Sequence, residues 1–323
     1  MLYLDYSRED GQWQPNIYGG RENLEAISFI QEVNATAYRS HPGIMMIAEE
    51  STSWGGVTGL TENGGLGYGL KRNMGGMNDT LRYMQEKPIN RRWHHGELTF
   101  SLVYAFSEHF LLPLSHDEVV HGKGSLYTKM PGDHWQKLAG LRLLFGYQWS
   151  HPGKQLLFMG QEFGQIDEWS DNRSLDWWLT DNPGHDGVMC CVKALNEVYK
   201  AHPALWSDDF TNSGFEWIDV SDGDNNVLSY IRKSADGKEV VVAVCNFAGI
   251  PHNDYRVGLP SGGTWDEIFN SDACEFGGSG VGNMGRLEAE EITWNGRPYS
   301  VKMQLPPFGV VYFTPHKETA SEE

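Results

Sequence analysis

The sequence of 323 residues predicts an α/β chain: half of a (β/α)8 barrel over residues 1–208 and an all-β sandwich over residues 209–323. In the first part, short apolar runs alternate with helical patterns, which is typical of parallel strands joined by right-handed crossovers. Beyond about residue 212, short alternating stretches separated by Gly, Pro and Asn turns favour an antiparallel sandwich. The first part shows only about four strand–helix units, whereas a closed barrel has eight in about 250 residues.

Amphipathic patterns and apolar runs follow one another in the first part. Leu24, Ile27 and Ile30 recur at helical spacing, and the His-Pro-Gly string at residues 41–43 ends that helix. The same spacing predicts helices over residues 21–39, 77–85, 98–110, 135–147 and 188–199. Apolar runs predict buried strands over residues 44–48, 111–114 and 155–159, with loops over residues 1–20 and 55–69.

Turn residues at short intervals bound the strands that the second part predicts. These strands cover residues 215–218, 227–232, 239–246, 255–259, 265–268, 299–305 and 310–314. The pattern changes between residues 204 and 214, which places the domain boundary near residue 208, and a polar tail covers residues 317–323.

The net charge of −18 argues against some classes of partner. Phosphate binding needs clustered Lys and Arg, so neither nucleic acid nor an anionic membrane surface is an expected partner. A neutral ligand fits this charge better. The twelve Trp and fourteen Tyr residues include potential platforms for sugar rings, although core and domain interface account for most of them.

The cysteine pattern predicts reduced thiols and therefore a cytoplasmic protein. Cys190, Cys191, Cys245 and Cys274 match neither a zinc spacing nor a small disulfide framework. The charged residues that closely follow Met1 argue against a signal peptide, and no apolar stretch approaches the ~18 residues of a membrane span. We expect no cofactor and no metal.

Acidic residues follow two of the predicted buried strands. Glu49 and Glu50 end the run at 44–48, and Ser115, His116 and Asp117 end the run at 111–114. The carboxyl ends of barrel strands form one rim, where such side chains carry chemistry, and two carboxylates at one rim suit work on a glycosidic bond. Two adjacent acids near an apolar strand end could also supply the raised pKa that a proton donor needs. The alternative is that Glu49 and Glu50 are ordinary polar residues of the rim without a catalytic role.

Two further motifs carry weaker signals. His116 and His121 stand five residues apart after a strand, so they do not form the zinc-binding helix that a spacing of four would indicate. The glycine-rich segment at residues 64–69 lacks the context of a dinucleotide fingerprint. It could allow a ligand to approach the backbone closely, although flexibility is its simpler interpretation. Five tryptophans in or near predicted loops could form sugar platforms: Trp54, Trp93, Trp169, Trp177 and Trp178.

Long strings across essentially the whole chain resemble the glycogen branching enzymes of the α-amylase superfamily. They include Ala-Glu-Glu-Ser-Thr at residues 48–52 and Leu-Pro-Leu-Ser-His-Asp-Glu-Val-Val-His-Gly-Lys at residues 112–123. Further matching strings lie at residues 6–8, 19–26, 130–133, 156–160 and 174–177. The resemblance implies cleavage of an α-1,4-glucan and transfer of the fragment to a 6-hydroxyl, by a retaining mechanism. It also implies that the first part is the C-terminal half of the barrel.

Roles for individual residues follow from the resemblance. It implies that Glu49 is the general acid/base, that Asp117 stabilises the transition state, and that His116 binds the sugar beside it. The family's nucleophilic Asp lies in a Gly-x-Arg-x-Asp-Ala-Val string that this chain lacks, and Asp5 matches a different, non-catalytic position. We therefore expect Met1 to be an internal residue of a longer gene product, and the chain alone to be inactive.

Two other classes stay open from the sequence. One is a related α-glucan hydrolase or debranching enzyme, which would release reducing ends without forming α-1,6 branches. The other is a non-catalytic glucan-binding protein, or one half of an enzyme completed by a separate N-terminal half.

Overall fold

A four-stranded parallel sheet organises the first part of the chain, in the order β1-β2-β3-β4. The computed structural model describes residues 2–317, so residues 318–323 of the predicted polar tail lie outside the described residues. The strands are β1 (Ile47–Ala48), β2 (Leu70–Arg72), β3 (Phe110–Leu114) and β4 (Lys154–Leu157). The helices are α1 (Leu24–Ser40), α2 (Met74–Gln85), α3 (His95–Tyr104), α4 (Leu126–Lys129), α5 (His134–Ser150) and α6 (Pro183–Ala201).

Two predictions for this part need correction. Strand β2 is absent from the predicted elements because three residues beside a glycine-rich loop show no periodicity, and its pairing with β1 and β3 is what makes it a strand. The predicted helix over residues 98–110 is too long. Helix α3 ends at Tyr104, and Phe110 already pairs with Lys71 of β2, so the polar residues 107–109 separate the helix from the strand. The other predicted helices and strands are confirmed, with ends shifted by a few residues.

Two antiparallel sheets form the second part, as the alternating pattern predicts. A six-stranded sheet has the order β10-β9-β12-β7-β6-β5, and β11 pairs with β8 in a second sheet. The strands are β5 (Phe215–Asp219), β6 (Val227–Lys233), β7 (Val240–Asn246), β8 (His252–Leu259), β9 (Gly263–Asn270), β10 (Arg286–Ala289), β11 (Tyr299–Leu305) and β12 (Gly309–Pro315). Of these, only the short β10 has no counterpart among the predicted strands.

Helix α5 lies between the two parts. Every residue from 138 to 150 is buried, which is the pattern of a helix enclosed on all sides. In β7, Val241 and Ala243 belong to the core that includes α5, whereas Val242 and Val244 belong to the core shared with β8 and β11. The six-stranded sheet is therefore buried on both faces, which explains the continuous apolar run of β7.

A buried ion cluster fixes this arrangement. Arg232 of β6 donates to Asp209 at 2.5 Å and to the carbonyl oxygen of Ser150, the last residue of α5, at 2.8 Å. The Nζ atom of Lys154 in β4 lies 2.6 Å from the other carboxylate oxygen of Asp209. Both side chains of the Arg232–Asp209 pair are fully buried. One cluster thus ties β4, α5 and β6 together.

His151, directly after α5, is a buried titratable group. Its Nε2 lies 3.2 Å from the hydroxyl of Ser101, and its Nδ1 lies 2.8 Å from the carbonyl oxygen of Pro152. Burial lowers the pKa of His151 from 6.5 to about 4.

None of the helices within residues 2–317 is long and apolar enough to cross a membrane.

We expect Gly146→Ala to destabilise the fold. A Cβ at Gly146 would lie 2.1 Å from Cγ1 of Val310, and such overpacking costs about 1–3 kcal/mol. Urea unfolding measures the loss. Adding Val310→Ala should relieve the clash, so that the double variant is more stable than the sum of the single effects predicts. The control is Gly96→Ala in α3, where an added Cβ meets nothing within 4 Å. Strictly additive effects would contradict this packing.

We expect stability to fall with pH below the ordinary pKa of histidine, partly through His151. Between pH 6.5 and about 4 the unfolded chain binds a proton at this site that the folded chain does not bind. The resulting loss in the free energy of unfolding reaches about 3 kcal/mol near pH 4. His151→Gln removes the titration and should flatten the slope of unfolding free energy against pH. Parallel curves for wild type and His151→Gln would refute the assignment.

Candidate functional site

The carboxyl ends of β1 to β4 share one edge of the sheet because all four strands are parallel. Glu49 follows β1, Asn73 follows β2, Ser115 follows β3 and Phe158 follows β4. The structure therefore brings the predicted acidic residues to one edge. Strand β2 lies between β1, which Glu49 follows, and β3, which precedes Asp117, so the axes of β1 and β3 are roughly 10 Å apart.

Glu49 contacts a cation rather than the neighbouring acid. Its Oε2 lies 2.7 Å from Nη1 of Arg72, and half of its side chain (53%) is exposed. The pairing of Ala48 with Lys71 in the parallel register brings the next residues, Glu49 and Arg72, side by side. Glu50 turns to its own loop and accepts from the backbone N–H of Thr52 at 2.8 Å. Each of the two carboxylates thus has its own partner, Arg72 for Glu49 and the Thr52 amide for Glu50.

His116 and Asp117 sit on a short turn that a buried carboxylate holds. His116, Asp117 and Glu118 form one 3-10 turn after β3. The buried Glu118 accepts from the backbone N–H of Ser115 at 2.6 Å and from its hydroxyl at 2.8 Å. Nε2 of His116 lies 3.1 Å from Oδ1 of Asp117, and both side chains remain partly exposed. The turn thus presents His116 and Asp117 to solvent at the edge.

Glu118 is a site residue that the sequence interpretation missed. A Ser followed three residues later by Glu is the signature of a capping box, in which each side chain binds the other's backbone. The Ser-His-Asp-Glu string carries that signature, and the structure forms the reciprocal bonds between Ser115 and Glu118. Its function here is to position the two residues between the capping partners.

The glycine-rich loop after β1 is packed rather than merely flexible. The buried Glu108 accepts from the backbone N–H groups of Val57 at 2.8 Å and Thr58 at 2.7 Å. A Cβ at Gly65 would lie 2.3 Å from the carbonyl carbon of Gly59, so two backbone segments pass in direct contact. Glycine is needed for that contact. Backbone contacts therefore hold part of this loop, and the flexibility of residues 64–69 stays a prediction.

The five tryptophans proposed as platforms differ in exposure. Trp93, Trp177 and Trp178 are exposed, whereas Trp54 and Trp169 are half-buried. Trp169 packs edge-on against Phe158, with ring centroids 5.3 Å apart. Within residues 2–317, no group of three or more His, Cys, Asp or Glu side chains is placed to hold a metal ion.

Comparison with known proteins shows which proteins this chain is similar to. The family model "Alpha amylase, C-terminal all-beta domain" matches residues 217–316. A 1,4-alpha-glucan branching enzyme GlgB from Leifsonia xyli is 60% identical over 312 residues, which is 97% of this chain and 42% of the relative. The chain is similar over nearly its whole length to part of the glycogen branching enzymes of the α-amylase superfamily. The resemblance stated from the sequence is thereby confirmed.

Two further branching enzymes named GlgB match equally broadly. The one from Mycolicibacterium paratuberculosis is 58% identical over 316 residues, covering 98% of this chain and 43% of the relative. The one from Aquifex aeolicus is 58% identical over 312 residues, covering 97% of this chain and 49% of the relative. The chain thus spans less than half the length of these branching enzymes.

We expect Glu118→Ala to loosen the turn that carries His116 and Asp117. A hydrogen bond to a charged group contributes about 1.5–3 kcal/mol. We therefore expect the free energy of unfolding to fall by about that amount. Hydrogen exchange of the Ser115 amide should accelerate relative to wild type, more than exchange in α5. The control is Glu162→Ala in the 3-10 turn after β4 (Gln161–Phe163). Unchanged protection of Ser115 would show that the capping box does not hold the turn.

Proposed function

We propose that this chain supplies the C-terminal half of the catalytic (β/α)8 barrel and the C-terminal β-sandwich of a 1,4-α-glucan branching enzyme. The observation that carries the proposal is the placement of Glu49 and Asp117 at the carboxyl edge of one parallel sheet. We place the boundary between the two domains at residues 208 and 209, which lies between the end of α6 and the start of β5. The substrate is an α-1,4-glucan such as glycogen.

Glu49 is the proton donor and acceptor in this proposal. In the first step a nucleophilic carboxylate forms a bond to C1, the bond from C1 to the leaving oxygen breaks, and that oxygen takes the proton of Glu49. In the second step a 6-hydroxyl attacks C1, its proton passes to Glu49, and the nucleophile is released. Arg72 lies against the Glu49 carboxyl and holds it at the edge of the sheet.

Asp117 and His116 serve the sugar at the point of cleavage. The Asp117 carboxylate stabilises the positive charge that develops on the ring, and His116 donates a hydrogen bond to a ring hydroxyl. Both side chains are accessible, and the capping box leaves them pointing away from the core. Transfer rather than hydrolysis further requires that water be excluded from the covalent intermediate.

The nucleophile comes from a companion segment in this proposal. The sheet has four strands, and apolar side chains of α1 and the β1 region are exposed at its open side: Phe29 (70%), Met45 (57%) and Ile47 (43%). A separate or preceding N-terminal barrel half would cover them and bring its Gly-x-Arg-x-Asp-Ala-Val string to the shared rim. The cytoplasmic location stays a prediction, with which four free cysteines are compatible.

An iodine–amylose assay with this chain, alone and with an N-terminal companion half, tests the function. We expect no branching by the chain alone, and α-1,6 linkages visible by NMR when the companion is present. In the complex, Glu49→Gln and Asp117→Asn should each lower the rate about 10²- to 10³-fold. Glu62→Gln, at an exposed position, should not.

Other outcomes separate the alternatives. Branching by the isolated chain at the rate of the complex would refute the inference that this chain lacks the nucleophile. Release of reducing ends without new α-1,6 linkages would assign a hydrolase. Glucan retention without turnover in the presence of the companion would assign a binding protein.

A further inference from the structure

A cleft of about 720 Å³ lies beside the segment that directly follows the turn carrying His116 and Asp117. Its walls come from the segment after β3, at Val120 and His121, and from residues 167–173 after β4. Both segments leave the carboxyl edge of the sheet. The volume falls in the range of small-molecule sites, about 300–1,000 Å³.

The two walls of this cleft are tied together. The carboxylate of Glu168 accepts from the backbone N–H of Gly122 at 2.9 Å and from that of Gly124 at 2.8 Å. These bonds lower the pKa of Glu168. The backbone N–H of Trp169 donates to the carbonyl oxygen of Val119 at 3.0 Å. The cleft is therefore preformed by contacts between two loops that are distant in sequence.

Trp169 gives the cleft an aromatic wall that is linked to the proposed catalytic turn. Its indole packs on Phe158, and Phe158 in turn lies 6.0 Å from the ring of His116, measured between centroids. Phe158 thus contacts both rings and connects the cleft to the turn that carries His116 and Asp117.

The polar groups of the cleft suit hydroxyls rather than ions. Arg173 is already engaged by Asp167 at 3.1 Å and by Asp176 at 3.4 Å. Asp171 and Asn172 are exposed on the same wall and can accept from and donate to hydroxyl groups. The carboxylates of the cleft and the net charge of −18 disfavour an anionic ligand.

We propose that this cleft is a subsite for glucose units of the α-glucan, with Trp169 as the stacking platform. The assignment rests on the proposed function for the class of ligand. It adds a site beyond Glu49, His116 and Asp117, and it needs no nucleophile. The isolated chain should therefore bind an oligosaccharide here even where it cannot cleave one.

Titration of the full chain with maltoheptaose tests the subsite. The chain is labelled with 5-fluorotryptophan, and Trp169→Phe identifies the fluorine resonance of Trp169 among those of the twelve tryptophans. We expect that resonance to shift saturably. Calorimetry should show about tenfold weaker binding for Trp169→Ala, the effect of truncating an aromatic anchor. Trp169→Phe should retain most of the affinity.

Two further variants test whether maltoheptaose binds in this cleft. Asn172→Arg leaves Trp169 in place and fills the cleft from its exposed wall, so it should also weaken binding. Trp294→Ala removes an exposed indole (47%) of the β-sandwich and should leave binding unchanged. Thermal unfolding of each variant confirms that the fold is intact.

The results distinguish this subsite from the proposed function. Shifts of other tryptophans with Trp169 unmoved, or no shift up to about 10 mM maltoheptaose, would overturn the subsite. Branching by the enzyme completed with its companion half would still support the function in either case. A shifted Trp169 without branching by that completed enzyme would keep the subsite and overturn the function.

Discussion

The arrangement of the parallel sheet and the β-sandwich depends on the hydrogen bonds that the buried guanidinium of Arg232 donates. Arg232 belongs to β6, yet it donates to Asp209 in the connection after α6 and to the last carbonyl of α5. Lys154 brings β4 into the same cluster through the second oxygen of Asp209. Removing one partner of such a pair costs about 3–5 kcal/mol because the other charge stays buried. The cluster therefore sets how the β-sandwich sits against the edge strand of the parallel sheet.

Helix α5 transmits that constraint to the core. It is enclosed because one face of the six-stranded sheet packs against it, and Gly146 allows the close approach of Val310. The hydroxyl of Tyr312 donates to the carbonyl oxygen of Gly146, and Ser150 shares a hydrogen bond with Tyr230 at 2.6 Å. Both parts of the chain thus share one continuous core, so the β-sandwich supports the sheet that carries the candidate site.

The candidate site combines rigid and accessible elements. The turn after β3 is held by the buried Glu118, and the loops that form the cleft are held by Glu168. The side chains of Glu49, His116 and Asp117 nevertheless remain partly exposed. The proposed binding of a bulky polymer needs this combination, because backbone tethers fix the geometry while the functional groups stay reachable.

The sequence alone determined the alternation of buried strands and helices, the antiparallel second part, and the place of Glu49 and Asp117 at strand ends. Those features are local, since periodicity and turn residues act over a few positions. Only the tertiary structure decided that Leu70–Arg72 is a strand, that Arg72 rather than Glu50 meets Glu49, and that Trp169 lines a cleft. Each of these depends on segments brought together from tens of residues apart. Such contacts leave no pattern in any single stretch of sequence.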